Sequence, residues 1–218
     1  MRKISILQVV LFFSMLGLVV VLGVGTVWLL LGDLALGDFR GVILVVTGVA
    51  LLYLWSFLVY RIFLFVLPLQ VGELAEGGRG EFAAQVHFLF FLFLFNSLVR
   101  SHVLPIPLMR VVYLALGARL GSNTYSAGAI LDPALVEIGA NCVVGHDAVL
   151  FCHVIEGRRL ALAPIRIDDE VTIGASVVVM PGVEIGKGAI VSAGAVVSKG
   201  TRIPAGEVWG GVPARRLR

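Results

Sequence analysis

The chain has 218 residues, 59% of them hydrophobic and only 14% charged, and its mean hydropathy of +1.01 is too high for a soluble domain of this size. Its 17 Lys and Arg against 14 acids leave a formal charge of +3, spread along the chain apart from a small Arg cluster at the C-terminus, which argues against a nucleic-acid partner. The two cysteines, Cys142 and Cys152, are too few for a zinc knuckle and suit a reducing compartment, with no disulfide expected.

After Arg2 and Lys3, an uncharged run from Ile4 to Gly32 exceeds the roughly 20 helical residues needed to cross a hydrocarbon layer about 30 Å thick. It is too long for a signal-peptide core and shows no A-x-A cleavage pattern, so it reads as an uncleaved anchor with its basic end inside. A short connection leads to a second apolar run, residues 41–67, interrupted only by Arg61, and the two predict a transmembrane helical hairpin with spans at about 4–31 and 41–67. The Phe-rich stretch 82–100 is ambiguous. It is barely long enough to cross and carries Gln85, His87 and Asn96, so it reads either as a third span or as an embedded or interfacial helix. Two spans keep Arg2, Lys3, Arg79, Arg100, Arg110 and Arg119 on one side, the arrangement that the positive-inside tendency favours; His87 is then a polar tip at the interface. Pro105 and Pro107 precede a helix-like stretch, residues 106–119, which predicts a short docking helix.

From Ile167 to Val208 the sequence divides without remainder into seven six-residue blocks, IDDEVT, IGASVV, VMPGVE, IGKGAI, VSAGAV, VSKGTR and IPAGEV. Each opens with Ile or Val. A period of six fits neither a helix face nor a hairpin series, but it fits a triangular solenoid in which each block is one short strand plus a corner. The inward Ile or Val stacks on its equivalent one turn later, and each full burial stabilises by roughly 1.5–3 kcal/mol. The same phase appears at Leu120, Ile138 and Val144, so the solenoid starts near residue 120. Between Leu150 and Ile167 the period fails, which predicts a loop thrown out from one corner. The chain therefore divides into a membrane domain, 1–116, and a solenoid domain, 117–218. Of 13 Phe, only Phe151 lies beyond residue 100, as expected of two regions with different surroundings.

The unbroken hexads, the PGVEIGKGAIVSAGAVVSK run ending at Lys199 and the closing GGVPAR at 210–215 resemble the hexapeptide-repeat acyltransferases, in particular a membrane-attached member. The resemblance implies a left-handed parallel β-helix, acyl-CoA, most simply acetyl-CoA, as donor, no metal, and a homotrimer whose sites lie between subunits. Acyl transfer needs a base near neutral pH, and His is the natural choice. His153, just before the excursion, occupies the place of the catalytic His in the sugar acetyltransferases of that family, with Val154 where they usually show Pro. His146, in a corner, is the other candidate. Glu156 reads either as a carboxylate orienting the imidazole or as a solvated loop residue. Ala175, Ala193 and Gly194 suit a groove for pantetheine, and Lys199 and Arg215 match basic positions near the nucleotide end. Asp132 matches a position that holds the sugar in galactoside and maltose acetyltransferases, with Tyr125 near it, but the neighbouring Asn is missing. A zinc site like that of β-helix carbonic anhydrases lacks its third His.

These readings combine into a multi-pass enzyme of the inner (cytoplasmic) membrane with its β-helix facing the cytoplasm. It acylates a hydroxyl or amine of a lipid-linked or cell-envelope acceptor and touches membrane lipid. The alternatives are acylation of an amino acid, peptide or antibiotic as a small-molecule acceptor, and a non-enzymatic β-helix that trimerises a membrane protein.

Overall fold

The computed structural model describes residues 2–101 and 103–218. Two long helices open the chain, α1 (Ile6–Leu31) and α2 (Arg40–Val66). Ser5 caps α1 in a reciprocal capping box with Gln8, which satisfies two of the amides that a helix start leaves open. At about 1.5 Å per residue, the 26 residues of α1 span about 39 Å. The two helices pack where Gly23 meets Leu52 and where Trp55 donates to Thr26 at 3.1 Å. Much of their remaining surface is bare aliphatic and aromatic side chain.

The third apolar stretch forms α3 (Arg79–Phe90), a π-helical turn at Phe91–Phe95 and α4 (Asn96–Arg100). Among the described residues, three helical segments, Ile6–Leu31, Gly37–Val66 and Arg79–Arg100, are long and apolar enough to cross a membrane by length and composition. The third is the most buried, about half against 22% and 11% for the others. Both of its ends touch the strand region. Ala84 and Val99 share one hydrophobic cluster with the strand core, and Arg100 lines a cavity with Gly128 and Ala148.

The helix expected at 106–119 is α5 (Ile106–Leu116), which stops early because Gly117 turns left-handed at φ 105°, a conformation that glycine enters at little cost. It docks through Tyr113, whose hydroxyl donates to the Gly128 carbonyl at 2.7 Å and accepts from the Ile130 amide at 3.2 Å.

Beyond Arg119 the chain visits three parallel sheets in rotation. In the first sheet Leu120, Ile138, Ile167, Ile185 and Ile203 align in register. In the second, Ser126, Val144, Ile173, Val191 and Trp209 align; in the third, Ile130, Leu150, Val179 and Val197 do. The residues that open the hexads are thus the stacked core, as their period predicts, and Ile185, Val191 and Val197 are at most 2% exposed. Corners carry Gly where successive circuits touch. A Cβ on Gly145 would lie 2.6 Å from the Ala175 amide nitrogen, and one on Gly174 would lie 2.5 Å from that of Ala193.

The outer faces of the sheets differ. The first carries an alternating ladder of Arg119, Glu137, Arg166, Glu184 and Arg202. The second presents Tyr125, Val143 and Ile190, each more than a third exposed.

The break after Leu150 is not an irregular loop. His153–Glu156 and Arg159–Leu162 form an antiparallel hairpin, and Gly72–Glu73 adds a third strand to it. Backbone pairing in this hairpin gives the excursion a fixed shape that a hexad count does not reveal. At its tip the Arg158 carbonyl accepts from Arg2 at 2.7 Å, and the same guanidinium reaches the Leu74 carbonyl at 2.8 Å and Glu81 at 3.1 Å. The start of α1 is therefore fastened to the strands. The end of α2 is near them too, since Arg61, Leu114, Gly117 and Ala134 line one cavity.

Candidate functional site

His153 opens the hairpin, where the chain leaves the third sheet. Its Nδ1 lies 2.8 Å from Asp132 Oδ2, and the Cys152 amide donates to the same oxygen at 2.7 Å. Asp132 sits one circuit earlier, beyond Ile130, which pairs with Leu150, so the corner at Asp132 stacks on that at Cys152. The other carboxylate oxygen, Oδ1, lies 3.0 Å from His87 Nε2 on α3, and His87 Nδ1 lies 2.9 Å from the Tyr60 hydroxyl on α2. Tyr60, His87, Asp132 and His153 thus form one hydrogen-bonded chain linking both helices to the hairpin.

Every partner of Asp132 is a donor, which fixes the proton positions. The carboxylate is ionised and accepts from His153 Nδ1–H, the Cys152 amide and His87 Nε2–H; Tyr60 O–H donates to His87 Nδ1. Asp132 and His87 side chains are 1% exposed, whereas that of His153 is 27% exposed. Burial by itself would raise the Asp132 carboxyl, but the hydrogen bonds from His153 and His87 outweigh it and hold the group well below the usual carboxylate range. Burial works against charge on His153 as well, and there the hydrogen bond and negative charge of Asp132 prevail, raising its pKa. Burial and the Asp132 charge push the Cys152 thiol up, so it stays protonated and unsuited to nucleophilic attack.

Phe88 meets the His153 ring edge-on at 5.3 Å and Phe151 lies at 5.5 Å. With Nδ1 committed to Asp132, Nε2 has no hydrogen bond among the described residues, and on a partly exposed side chain its lone pair remains available. This is the geometry of an oriented general base.

Glu156 does not supply the orienting carboxylate. It lies at the exposed end of the hairpin strand, bonded to Lys199 and facing Arg159 at 3.8 Å, and the Lys199 ammonium lowers its pKa. Strand geometry explains this, because three residues along an extended chain carry Glu156 away from His153. Asp132 stands where that carboxylate is needed, and, 1% exposed with both oxygens bonded inside the protein, it is not open to a sugar. Lys199 is correspondingly engaged with Glu156.

His146 stands in the corner between the second and third sheets, about two thirds exposed and 3.3 Å from Asp147. Its carbonyl accepts from the Ser176 amide at 2.8 Å, and the Ala175 carbonyl accepts from Gly194 at 2.9 Å. The corner thus gathers His146, Ala175, Ala193 and Gly194 on successive circuits. The third sheet separates this corner from the one that leads to His153. Tyr125 lies on the second sheet with Arg110 6.0 Å from its ring, and Arg215 is exposed on the last strand, antiparallel to Val208–Gly210.

His87 and Tyr60 are the members that the sequence reading missed. His87 is buried rather than at an interface, because Asp132 and Tyr60 satisfy both of its nitrogens. An ionisable residue inside an apolar run was the available signal.

Residues 164–199 match the family model described as bacterial transferase hexapeptide (six repeats). Over 101 residues the chain is 40% identical to gamma carbonic anhydrase 1, mitochondrial, of Arabidopsis thaliana, covering 44% of this chain and 37% of that protein. Over 55 residues it is 37% identical to the putative acetyltransferase YvoF of Bacillus subtilis, covering 25% and 32% respectively. The chain spans only about a third of the length of these curated relatives. A hexapeptide-repeat containing acetyltransferase from Vibrio cholerae shares its fold with a TM-score of 0.51 at 22% identity, covering 67% of this chain and 94% of that one. The donor set does not fit a carbonic anhydrase metal: His153 Nδ1 and both Asp132 oxygens are committed, and the described residues contain no group of three or more His, Cys, Asp or Glu that could hold an ion. The six-residue period, the three parallel sheets in register and the match over residues 164–199 show that the strand region carries hexapeptide repeats of the bacterial transferase type.

Proposed function

We propose that this chain is a membrane-embedded acyltransferase that moves an acyl group, acetyl by default, from acyl-CoA to a hydroxyl or amine of an acceptor held in the membrane. The observation that carries this reading is the His153–Asp132 pair, on a partly exposed imidazole packed by Phe151 and Phe88. His153 Nε2 takes the acceptor proton as the acceptor oxygen or nitrogen attacks the thioester carbonyl. The carbon–sulfur bond then breaks, and the imidazolium returns the proton to the departing thiolate. The products are the ester or amide and free coenzyme A. Asp132 stabilises the imidazolium between these steps.

In this reading residues 117–218 form the left-handed β-helix and 1–116 the membrane domain. Several contacts support a two-span arrangement. The start of α1 and the end of α2 both lie against the strand region, so their far turn is the end that projects into lipid. The helix from Arg79 to Arg100 has both ends on that region and lies across it instead of leaving it, bringing Phe88 and His87 to the base. With the basic foot of α1 inside, the strands face the cytoplasm of the inner membrane, where acyl-CoA is available. The corner with Ala175, Ala193 and Gly194 receives pantetheine. Exposed Tyr125, Val143 and Ile190 on the second sheet form the face that meets neighbouring copies in a homotrimer, and the exposed Arg215 meets nucleotide phosphates.

The test is turnover by purified protein in lipid nanodiscs with acetyl-CoA and membrane lipid extract. Free thiol release should depend on the extract, and mass spectrometry should find the acylated amphiphile. Equal turnover with a soluble sugar and no lipid would overturn the acceptor assignment, and failure to bind coenzyme A in calorimetry would overturn the acyl-transfer reading itself.

A further inference from the structure

The hydrogen-bonded chain at His153 extends further than a base and its carboxylate require. Asp132 Oδ2 already accepts two bonds, from His153 and the Cys152 amide. Its Oδ1 is turned toward the helices, where its hydrogen-bond partner among the described residues is His87 Nε2 at 3.0 Å. His87 is itself 0% exposed, and its second nitrogen is met by Tyr60 at 2.9 Å. His87 and Tyr60 belong to different helices, and each is also packed by rings, His87 by Phe88 and Tyr60 by Phe90 and Phe95.

We propose that His87 and Tyr60 are positioning residues for His153: α3 and α2 complete the catalytic centre by holding Oδ1 of Asp132, which in turn holds the imidazole in its productive tautomer. The physical reason is the cost of a buried carboxylate. An ionised group with one oxygen unpaired in an apolar setting must rotate, recruit water or take up a proton, and each response loosens the bond at Oδ2. His87 removes that choice with one N–H. Tyr60 makes the donor dependable, because its own O–H at Nδ1 keeps the His87 proton on Nε2. The apolar helices are therefore part of the active centre as well as its support, and a strand domain cut free of them has an unanchored Asp132.

This inference rests on the acyl-transfer reading of His153, so its test has a readout that needs no activity. Full-length protein in nanodiscs, labelled with ¹⁵N-histidine, reports the tautomer of each of the four histidines, assigned by single His→Gln variants. The native protein should show His153 protonated on Nδ1. His87→Leu keeps approximate volume but offers no donor. It should leave His153 as a mixture of tautomers and lower kcat roughly 10- to 100-fold, the loss typical of removing a hydrogen-bond partner behind an active-site group, with KM and coenzyme A affinity little changed. His87→Gln, whose amide can donate to Asp132 and accept from Tyr60, should restore the single tautomer and most of kcat. Tyr60→Phe removes one oxygen without disturbing ring packing and should give a smaller loss in the same direction. A folded His87→Leu variant with native His153 tautomer and native kcat would overturn the proposal, as would a variant that lost thermal stability while keeping that tautomer. Should His87→Leu fail to fold, unchanged tautomer and kcat in Tyr60→Phe would overturn it. If the native protein transfers no acyl group, the tautomer shift in His87→Leu still decides whether the helices position His153.

Discussion

Replacing Asp132 with Asn separates the two services of the carboxylate, orienting the imidazole and carrying charge. In a Ser-His-Asp triad the same Asp→Asn change leaves the imidazole in the wrong tautomer, at a cost of about 10⁴ in kcat. Here the Cys152 amide donates to Oδ2 at 2.7 Å, and a backbone N–H cannot turn away. The Asn carbonyl must therefore stay at that position, with its NH₂ toward His87, which can answer by changing tautomer. His153 keeps its acceptor and loses only the negative charge. At an effective dielectric of about 20, a charge pair about 4 Å apart is worth about 4 kcal/mol, so kcat should fall about 10²–10³-fold, short of the loss for a flipped imidazole. The acid limb of the pH profile gives a second reading. Asp132 raises the His153 pKa, and the base works only above that value. Asp132→Asn should therefore move the acid limb of kcat/KM to lower pH while the plateau drops. Acetyl transfer followed by thiol release across pH 5–9 measures both. A loss of 10⁴ or more in a folded protein, or an acid limb that moves upward, would refute the reasoning about the Cys152 amide and the charge.

His153→Ala should lower kcat roughly 10²–10⁴-fold with coenzyme A affinity in calorimetry nearly intact, since only proton removal is lost; His146→Ala should cost far less, and the reverse ranking would move the base to His146. Glu156→Gln should leave kcat within about threefold of wild type, because its partners Lys199 and Arg159 are exposed and such pairs contribute little; a large drop in turnover would restore a catalytic role. Ile185→Ala, at a position 2% exposed and stacked between Ile167 and Ile203, should destabilise by about 2–5 kcal/mol in urea unfolding monitored by circular dichroism, whereas a loss below about 1 kcal/mol would contradict the stacked core.

The core was legible in the sequence because a parallel stack repeats the same environment every circuit. Ile167, Ile185 and Ile203 occupy equivalent places, and a local rule about inward Ile and Val suffices to find them. The helix-forming runs were legible for a similar reason, as length and hydropathy alone specify a helix such as α1. The candidate site was only half legible. His153 is marked by its place at the break in the hexads, but local spacing offers only Glu156 as a neighbouring carboxylate, three residues away, where the strand points it outward. The true partner, Asp132, is 21 residues back. His87 lies a further 45 residues from Asp132, and Tyr60 another 27 from His87. No period or local spacing connects these positions. What joins them is the crossing of α2 and α3 over the corner that stacks Asp132 on Cys152, and the need of a buried carboxylate for donors on both oxygens. The sequence by itself determined the repeat, the inward stack and the apolar helices, since each follows from local patterns of burial; the tertiary structure alone decided which polar side chains meet in the interior, because that depends on how the helices lie across the strands.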